Sequence, residues 1–254
     1  MTSQLLALED VSVSFGGLKA LQNISLELNA GEVVGVIGPN GAGKSTLFNA
    51  ISGLVQTSGN ISLFDNQIPW PKPHELTNLG ISRTLQGVGL FGDLTVLENV
   101  MIGATKFAKG GIISAALGFD TKHEDELRKR SLNALGWVGC RDFADQRADS
   151  LPYPTTKRIS IARALVNEPK ILLLDEPAGG LGSEDISWLN QFVRDISRKT
   201  SVILVEHHMD VVMTICDRIY VLNFGQLIAK GTPAEVRNNP AVIEAYLGGG
   251  HAAS

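Results

Sequence analysis

Apolar and polar residues alternate in short runs at the start of the chain and then give way to longer apolar runs. The alternation predicts strands over residues 5–7, 11–13 and 24–28. The continuous apolar run at residues 33–37 is typical of a parallel strand that is buried on both faces. A glycine-rich loop follows this run, and residues 45–54 have the periodicity of a helix.

The rest of the chain repeats this arrangement around a segment of different character. Residues 171–174, 202–205 and 219–222 are apolar runs that predict further buried strands between helical segments. Alternation of strands and helices predicts a parallel sheet that is covered by helices. Residues 95 to about 148 are instead mostly helical in their periodicity, so we expect a helical insertion into an α/β core.

Composition and charge exclude several classes of protein. The chain of 254 residues has 26 acidic and 22 basic side chains, a balance that excludes a strongly basic nucleic-acid binder but not a local basic groove. Its apolar runs are far too short to cross a bilayer, and residues 1–30 lack the pattern of a signal peptide. Cys140 and Cys216 have no metal-ligand spacing and are expected to be reduced thiols. We therefore expect an intracellular chain that reaches a membrane only through partners.

The glycine-rich loop carries a candidate phosphate site. Residues 38–45 match the P-loop pattern G-x-x-x-x-G-K-S/T, between a buried strand and a helix as that pattern requires. Glycines let backbone N–H groups approach phosphate oxygens, Lys44 can reach the β- and γ-phosphates, and Ser45 offers a hydroxyl to Mg²⁺. An ordinary glycine-rich turn is the alternative. The predicted nucleotide contacts are Gly38, Asn40, Gly41, Ala42, Gly43, Lys44, Ser45 and Thr46.

A pair of carboxylates follows the apolar run at residues 171–174. Asp175 would then stand at the carboxyl end of a buried strand, where a second Mg²⁺ contact is needed. Glu176 would lie near the γ-phosphate as the general base that polarises an attacking water. Without a P-loop, such a pair would be a helix cap or a solvated turn. With one, the two carboxylates and Lys44 predict hydrolysis of a nucleoside triphosphate.

With these residues in view, the sequence resembles the ATP-binding subunit of an ABC transporter, over nearly the whole chain. Within that family it is most similar to the first of two ATPases in bacterial branched-chain amino-acid uptake systems. The segments that carry the resemblance, besides the P-loop, are residues 15–18 (FGGL), 83–86 (RTLQ), 94–100 (LTVLENV), 161–165 (IARAL), 174–177 (LDEP), 205–207 (VEH), 216–219 (CDRI), 231–233 (Gly-Thr-Pro), 238–240 (NNP) and 245–248 (AYLG).

The resemblance implies an α/β fold: a P-loop ABC ATPase core with an antiparallel β subdomain and an inserted α-helical subdomain. It implies one ABC ATPase domain over residues 1–254. The core would cover about 1–86 and 168–254, and the helical subdomain about 87–167.

The resemblance also assigns roles to single residues. Phe15 would stack on adenine, Gln86 would touch the Mg²⁺ or the attacking water, and His207 would contact the γ-phosphate as a switch. Without the family, these residues would be a core aromatic, a surface amide and a structural histidine. Residues 86–100 correspond to the groove that receives a short cytoplasmic helix of a membrane subunit. His208 stands where the family usually has Asp.

One segment departs from the family pattern. The family has a second phosphate-binding motif, Leu-Ser-Gly-Gly-Gln or Leu-Ser-Tyr-Gly-Gln, which opens a helix and closes over the ATP of the opposite subunit in a head-to-tail dimer. Pro152 and Pro154 remove a hydroxyl and backbone N–H donors from this motif, although proline is well tolerated in a first helical turn. The residues of this degenerate signature are Leu151, Pro152, Tyr153, Pro154 and Thr155.

We therefore expect an ATPase that binds ATP and Mg²⁺ and powers uptake of branched-chain or related amino acids. Its expected partners are a second ATPase with an intact motif, two transmembrane permease subunits and, indirectly, an extracytoplasmic solute-binding protein, with no nucleic acid. The expected location is the cytoplasmic face of the inner membrane. A regulatory nucleotide-binding module of low turnover is the alternative; intact Glu176 and His207 oppose it. The lack of a long coiled coil and of basic patches disfavours a soluble DNA-repair or translation factor.

Overall fold

The structure, a computed structural model, describes residues 3–85, 87–107 and 121–248. The chain forms two compact units, one of Met1–Leu76 with Leu173–Ser254 and the other of Thr77–Leu172. The described strands, in chain order, are β1 (Gln4–Phe15), β2 (Leu18–Asn29), β3 (Val33–Ile37), β4 (Ser58–Leu63), β5 (Asn66–Ile68), β6 (Ile81–Arg83), β7 (Ile171–Asp175), β8 (Ser201–Val205), β9 (Arg218–Asn223) and β10 (Gln226–Gly231). The described α-helices are α1 (Lys44–Ile51), α2 (Val96–Gly103), α3 (Thr121–Trp137), α4 (Tyr153–Leu165), α5 (Ser183–Ser197), α6 (Met209–Ile215), α7 (Pro233–Arg237) and α8 (Pro240–Gly248).

An antiparallel sheet in the order β2-β1-β4-β5 forms one part of the first unit. The alternation pattern predicts two separate strands at residues 5–7 and 11–13, but the structure has the single strand β1 there. Asp10 adopts a left-handed backbone with φ of 52°, and the register with β2 shifts between Leu8 and Val11. Such a bulge inserts an extra residue and interrupts the alternation, so a continuous strand has the pattern of a broken one.

In the second sheet, which has six strands, five strands follow one another in the order β10-β9-β3-β8-β7. The central strands β3 and β8 are buried along their whole length, and β3 runs parallel to both β8 and β9. Sequence reasoning missed β10, which pairs antiparallel with β9 at the edge and is only partly buried. The N–H of Glu176, directly after β7, donates to the carbonyl of Val205 at the end of β8, so the loops after β3, β7 and β8 lie at the same edge.

The second unit holds helices α2, α3 and α4, which pack on one another, together with the short strand β6. Thr95 caps α2 with a reciprocal pair of bonds, because its hydroxyl accepts from the N–H of Glu98 and the Glu98 carboxylate accepts from the N–H of Thr95 at 2.7 Å. Gly80 accepts hydrogen bonds from the N–H groups of Lys170 and Ile171, which starts β7. This unit begins earlier than the helical subdomain expected at about residue 87.

Both cysteines are free and buried. Within the described ranges, no helix combines the length and the apolar character that crossing a bilayer would require.

Candidate nucleotide site

The P-loop leaves β3 through backbone conformations that only glycine adopts without strain. Gly38 has φ of 152°, and a Cβ there would lie 2.1 Å from the carbonyl oxygen of Leu222. Gly43 has φ of 105°, and a Cβ there would lie 2.8 Å from the carbonyl oxygen of Ala20. Gly43 is also the N-cap of α1, and no side chain caps the first N–H groups of this helix. This close backbone approach and the exposed helix end suit a phosphate group.

Lys44 spans the loop. Its Nζ donates to the carbonyl oxygens of Gly38 at 2.7 Å and Pro39 at 2.9 Å, and the side chain is almost fully buried. Burial lowers the pKa of this ammonium, while the negative charge of Glu176 opposes the shift. The loop carbonyls therefore hold a desolvated cation at the place where β- and γ-phosphates are expected.

The turn at Gly225, which the sequence analysis did not predict, is hydrogen-bonded to the P-loop. The N–H of Gly225 donates to the carbonyl of Ala42 at 3.0 Å, and Gly225 in turn accepts from the N–H of Gln22. Tyr246 of α8 also reaches the loop through a hydrogen bond from the Gly38 backbone. Partial burial raises the pKa of the Tyr246 hydroxyl, and this hydrogen bond opposes the rise. Only the glycine of this turn gave a local signal; its distance in sequence from the P-loop concealed the contact.

The two carboxylates lie at the end of β7. Asp175 is 2% exposed, whereas the Glu176 side chain is 33% exposed. Glu176 has a left-handed backbone with φ of 47° and donates its N–H to Val205 of β8 at 2.9 Å. A non-glycine residue in this conformation is strained, and such strain concentrates at functional sites. The turn separates the buried acid from an accessible one.

The loop after β8 is organised by Glu206, a residue to which the sequence analysis gave no role. Its carboxylate has no solvent exposure. One oxygen accepts from the N–H of Ala178 at 2.7 Å, and the other accepts from the N–H groups of His207 and His208 at 2.8 and 3.0 Å. Nδ1 of His208 lies 3.0 Å from the same oxygen. Glu206 therefore joins the segment after Glu176 to residues 206–208, which we call the switch loop after the role expected of His207.

The switch loop brings His207 towards the accessible carboxylate. Nδ1 of His207 lies 3.9 Å from Oε1 of Glu176, and the histidine side chain is half exposed. Phe15, at the hairpin between β1 and β2, is 51% exposed, which suits a stacking surface and not a core aromatic. In the loop and first helical turn, Asn40 and Ser45 are exposed. Gln86 lies outside the residues that the structure describes.

The degenerate signature opens α4 in the second unit. Pro152 is the N-cap of this helix, and its carbonyl accepts from the N–H of Thr156 at 3.1 Å. Pro154 follows in the first turn, so two positions there lack the N–H that could meet a phosphate. Tyr153 is 45% exposed, with Nζ of Lys157 6.0 Å from its ring centroid. The helix thus forms while donors are missing from its start.

Two protein-family models match the chain. A family model described as "ABC transporter" matches residues 21–179, and one described as "Branched-chain amino acid ATP-binding cassette transporter" matches residues 226–252. The chain is 40% identical to the high-affinity branched-chain amino acid transport ATP-binding protein LivG of Salmonella typhimurium, covering 98% of this chain and 99% of that protein. It is 36% identical to the corresponding protein BraF of Pseudomonas aeruginosa, with the same coverage.

Solved structures agree. The ADP conformation of an ATP-binding cassette of an ABC transporter superposes with a TM-score of 0.85 at 31% identity, over 97% of this chain and 100% of that one. A dimeric cassette in a post-hydrolysis state bound to ADP and phosphate superposes with a TM-score of 0.76 at 28% identity, over 90% and 99% of the two chains. From the family match, the relatives of 36–40% identity and the P-loop at this sheet edge, the chain belongs to the ABC transporter family and is an ATP-binding, ATP-hydrolysing subunit of that family.

Proposed function

We propose that this subunit powers uptake of branched-chain or related amino acids through a membrane permease. The observation that carries the proposal is the approach of Glu176 and His207, at 3.9 Å, on the sheet edge that also holds the P-loop. The printed names of the curated relatives, which are transport ATP-binding proteins for branched-chain amino acids, support the solute class. The match of the C-terminal residues 226–252 to a model of that transport class supports it further.

In this proposal each residue of the P-loop side has a defined task. Phe15 stacks on adenine, and the N–H groups from Gly38 to Thr46 surround the phosphates. Lys44 exchanges its loop carbonyls for β- and γ-phosphate oxygens, which is favourable because the buried cation gains anionic partners.

Mg²⁺ suits the oxygen donors at this edge. The buried carboxylate of Asp175 and the exposed hydroxyl of Ser45 are hard ligands on the two loops that would flank the phosphates. These residues, with Gln86, would hold the ion. When bound, it would neutralise the charge of the phosphate oxygens.

Hydrolysis then depends on the accessible carboxylate. Glu176 takes a proton from water as the water oxygen attacks the γ-phosphorus, and the bond to the β-phosphate bridging oxygen breaks to leave ADP and phosphate. His207 donates to a γ-phosphate oxygen and orients the group for in-line attack. The partial exposure of Glu176 leaves room for that water.

The second unit would receive the permease. Residues 86–100 form the expected docking segment. Phe91 is exposed there, and its backbone is held at both N–H and C=O by the buried amide of Asn99, at 2.8 and 2.9 Å. A fixed backbone with an exposed ring suits a surface that meets an apolar helix. Two permease subunits would place the chain peripherally on the cytoplasmic face of the inner membrane, with a solute-binding protein on the other side.

We assign the chain to one half of an asymmetric ATPase heterodimer. Its own site has Lys44, Glu176 and His207, whereas the motif that it offers to a partner has lost donors at Pro152 and Pro154. Each lost charge-assisted bond is worth about 1.5–3 kcal/mol. A second subunit with an intact motif would close the complete site, and the opposite site would hydrolyse poorly. The intact Glu176 and His207 argue against the low-turnover regulatory module.

The direct test of uptake is reconstitution. The chain, its second ATPase and both permease subunits are placed in proteoliposomes, and ATP-driven accumulation of radiolabelled leucine is measured in the presence of the solute-binding protein. Accumulation should depend on Glu176 and be lost in Glu176→Gln, while Glu184→Gln, an exposed carboxylate on α5, serves as the matched control. ATP turnover without leucine accumulation would overturn the proposed solute.

Asymmetry is tested by mass in solution. Glu176→Gln, which blocks turnover and traps closed dimers, is examined with MgATP by light scattering, alone and mixed with the second ATPase. We expect a monomer that binds ATP when alone and a one-to-one dimer with the partner. A dimer formed by this chain alone would show that the proline-containing motif still closes over ATP, and would overturn the asymmetric assignment.

A further inference from the structure

The switch loop contains a group of possible metal ligands that the proposed hydrolysis does not explain. Glu206, His207 and His208 each place a ligand atom within 4.8 Å of the others, the one such group among the residues that the structure describes. Oε2 of Glu206 lies 3.0 Å from Nδ1 of His208 and 3.7 Å from Nδ1 of His207. Oε1 of Glu176 lies 3.9 Å from the same nitrogen of His207.

These distances suit a tetrahedral ion. Bonds of about 2.0–2.1 Å to nitrogen and oxygen ligands place neighbouring ligand atoms of a tetrahedron roughly 3.4 Å apart. The separations of 3.0 and 3.7 Å around Oε2 bracket that value, and small rotations of the histidine rings would equalise them. Two imidazoles and one carboxylate are a ligand set for a borderline transition cation, whereas Mg²⁺ prefers oxygen ligands.

The group is held in place before any ion arrives. Glu206 has no exposed surface, and the N–H groups of Ala178, His207 and His208 fix its carboxylate from three directions. The two imidazole rings lie with centroids 4.2 Å apart and planes 38° from parallel. Their side chains remain 51% and 37% exposed, so an ion from solvent can reach them. Fixed outer contacts of this kind orient ligands in metal sites.

We propose that Glu206, His207 and His208 form a binding site for a transition cation of the Zn²⁺ type, with Glu176 within reach as a fourth ligand. The ion takes the position of the proton on Nδ1 of His208, and the neutral imidazole carries its proton on Nε2 instead. His208 makes this site possible, because the Asp that the family usually has there would supply no second imidazole.

Binding has a consequence for turnover, and this part rests on the proposed function. An ion held by His207 and Glu176 engages the switch histidine and the general base together. Neither group is then available to the γ-phosphate or to the attacking water. Zn²⁺ would therefore inhibit ATP hydrolysis by occupying the switch loop.

The binding experiment is independent of transport. Zn²⁺ is titrated into the nucleotide-free full-length chain, prepared without a histidine tag, against a chromophoric zinc chelator. We expect one strong site per chain and at least a tenfold loss of affinity in His208→Asn, whose amide can still donate to Glu206 from near the Nδ1 position. His74→Asn, at a side chain that is 77% exposed, is the matched control and should bind like the wild type. Equal affinity in His208→Asn and wild type would overturn the site.

Inhibition is measured in the assembled transporter. Zn²⁺ should lower phosphate release from wild type and the His74→Asn control, a zinc-selective chelator should restore it, and His208→Asn should need at least tenfold more Zn²⁺ for the same inhibition. Binding that depends on His208 without inhibition would support the site and overturn its effect on turnover. If the wild-type transporter binds zinc through His208 but does not transport leucine, the result would count against the proposed function alone.

Discussion

Replacing Glu206 by Ala tests whether its buried carboxylate holds the segment after Glu176 and the switch loop together. The substitution removes the acceptor of three backbone N–H groups: those of Ala178, His207 and His208. Ala178 is completely buried, so its N–H loses its partner without gaining water. The two histidines are partly exposed, and water can replace the carboxylate there.

The magnitude follows from these environments. An orphaned buried donor costs about 1–3 kcal/mol, and the remaining bonds to a charged acceptor add a smaller loss because water substitutes for it. We expect Glu206→Ala to lower the free energy of unfolding by about 2–4 kcal/mol, which for a chain of this size lowers the melting temperature by roughly 5–15 °C. Glu206→Gln retains one oxygen for Ala178 and should lose about half as much.

Urea unfolding followed by circular dichroism measures this difference, with Glu184→Gln as the exposed control that should stay within about 0.5 kcal/mol of wild type. Hydrogen exchange supplies a local reading, because the amide of Ala178 should lose its protection in Glu206→Ala. A variant whose unfolding free energy and Ala178 exchange both match wild type would refute the reasoning, since the carboxylate would then not hold the two segments together.

Three further outcomes are expected. In the assembled complex, Glu176→Gln should bind ATP normally and lose turnover by about 10²–10⁴-fold, measured as phosphate release; unchanged turnover would remove Glu176 as the base. Restoring the family residues with Pro152→Ser and Pro154→Gly should raise turnover at the site that this motif completes, and no gain would mean that the motif does not limit hydrolysis. Burial raises the pKa of Cys140 to about 11 and that of Cys216 still further, so Ellman's reagent at about pH 8 should label both only in denaturant. Rapid labelling of the folded chain would contradict their burial.

Much of the fold could be predicted because its signals are local. The P-loop is one contiguous segment, and its strand and helix are recognisable from the apolar run before it and the periodicity after it. Strands β7 and β8 are buried along their whole length and are apolar except for Asp175 at the end of β7 and Ser201 at the start of β8, which is typical of strands in a sheet that is covered on both faces. Strand β1 was divided in the prediction because the bulge at Asp10 breaks the alternation without breaking the strand. Strand β10 was missed because a partly buried edge strand lacks a strong pattern.

The candidate site also has one part that the sequence predicts and another that only the folded structure shows. Sequence by itself determined which side chains are the candidates for the chemistry, since Lys44, Asp175 and Glu176 follow motifs whose residue types suit phosphate and metal binding. Only the tertiary structure decided how they meet: β3, β8 and β7 follow one another in the sheet and end at the same edge, which brings three loops together. It also gave Glu206 its role. A lone glutamate after a strand has no distinctive pattern, and it acquires a structural function only when folding buries its carboxylate among N–H groups from segments 28 residues apart.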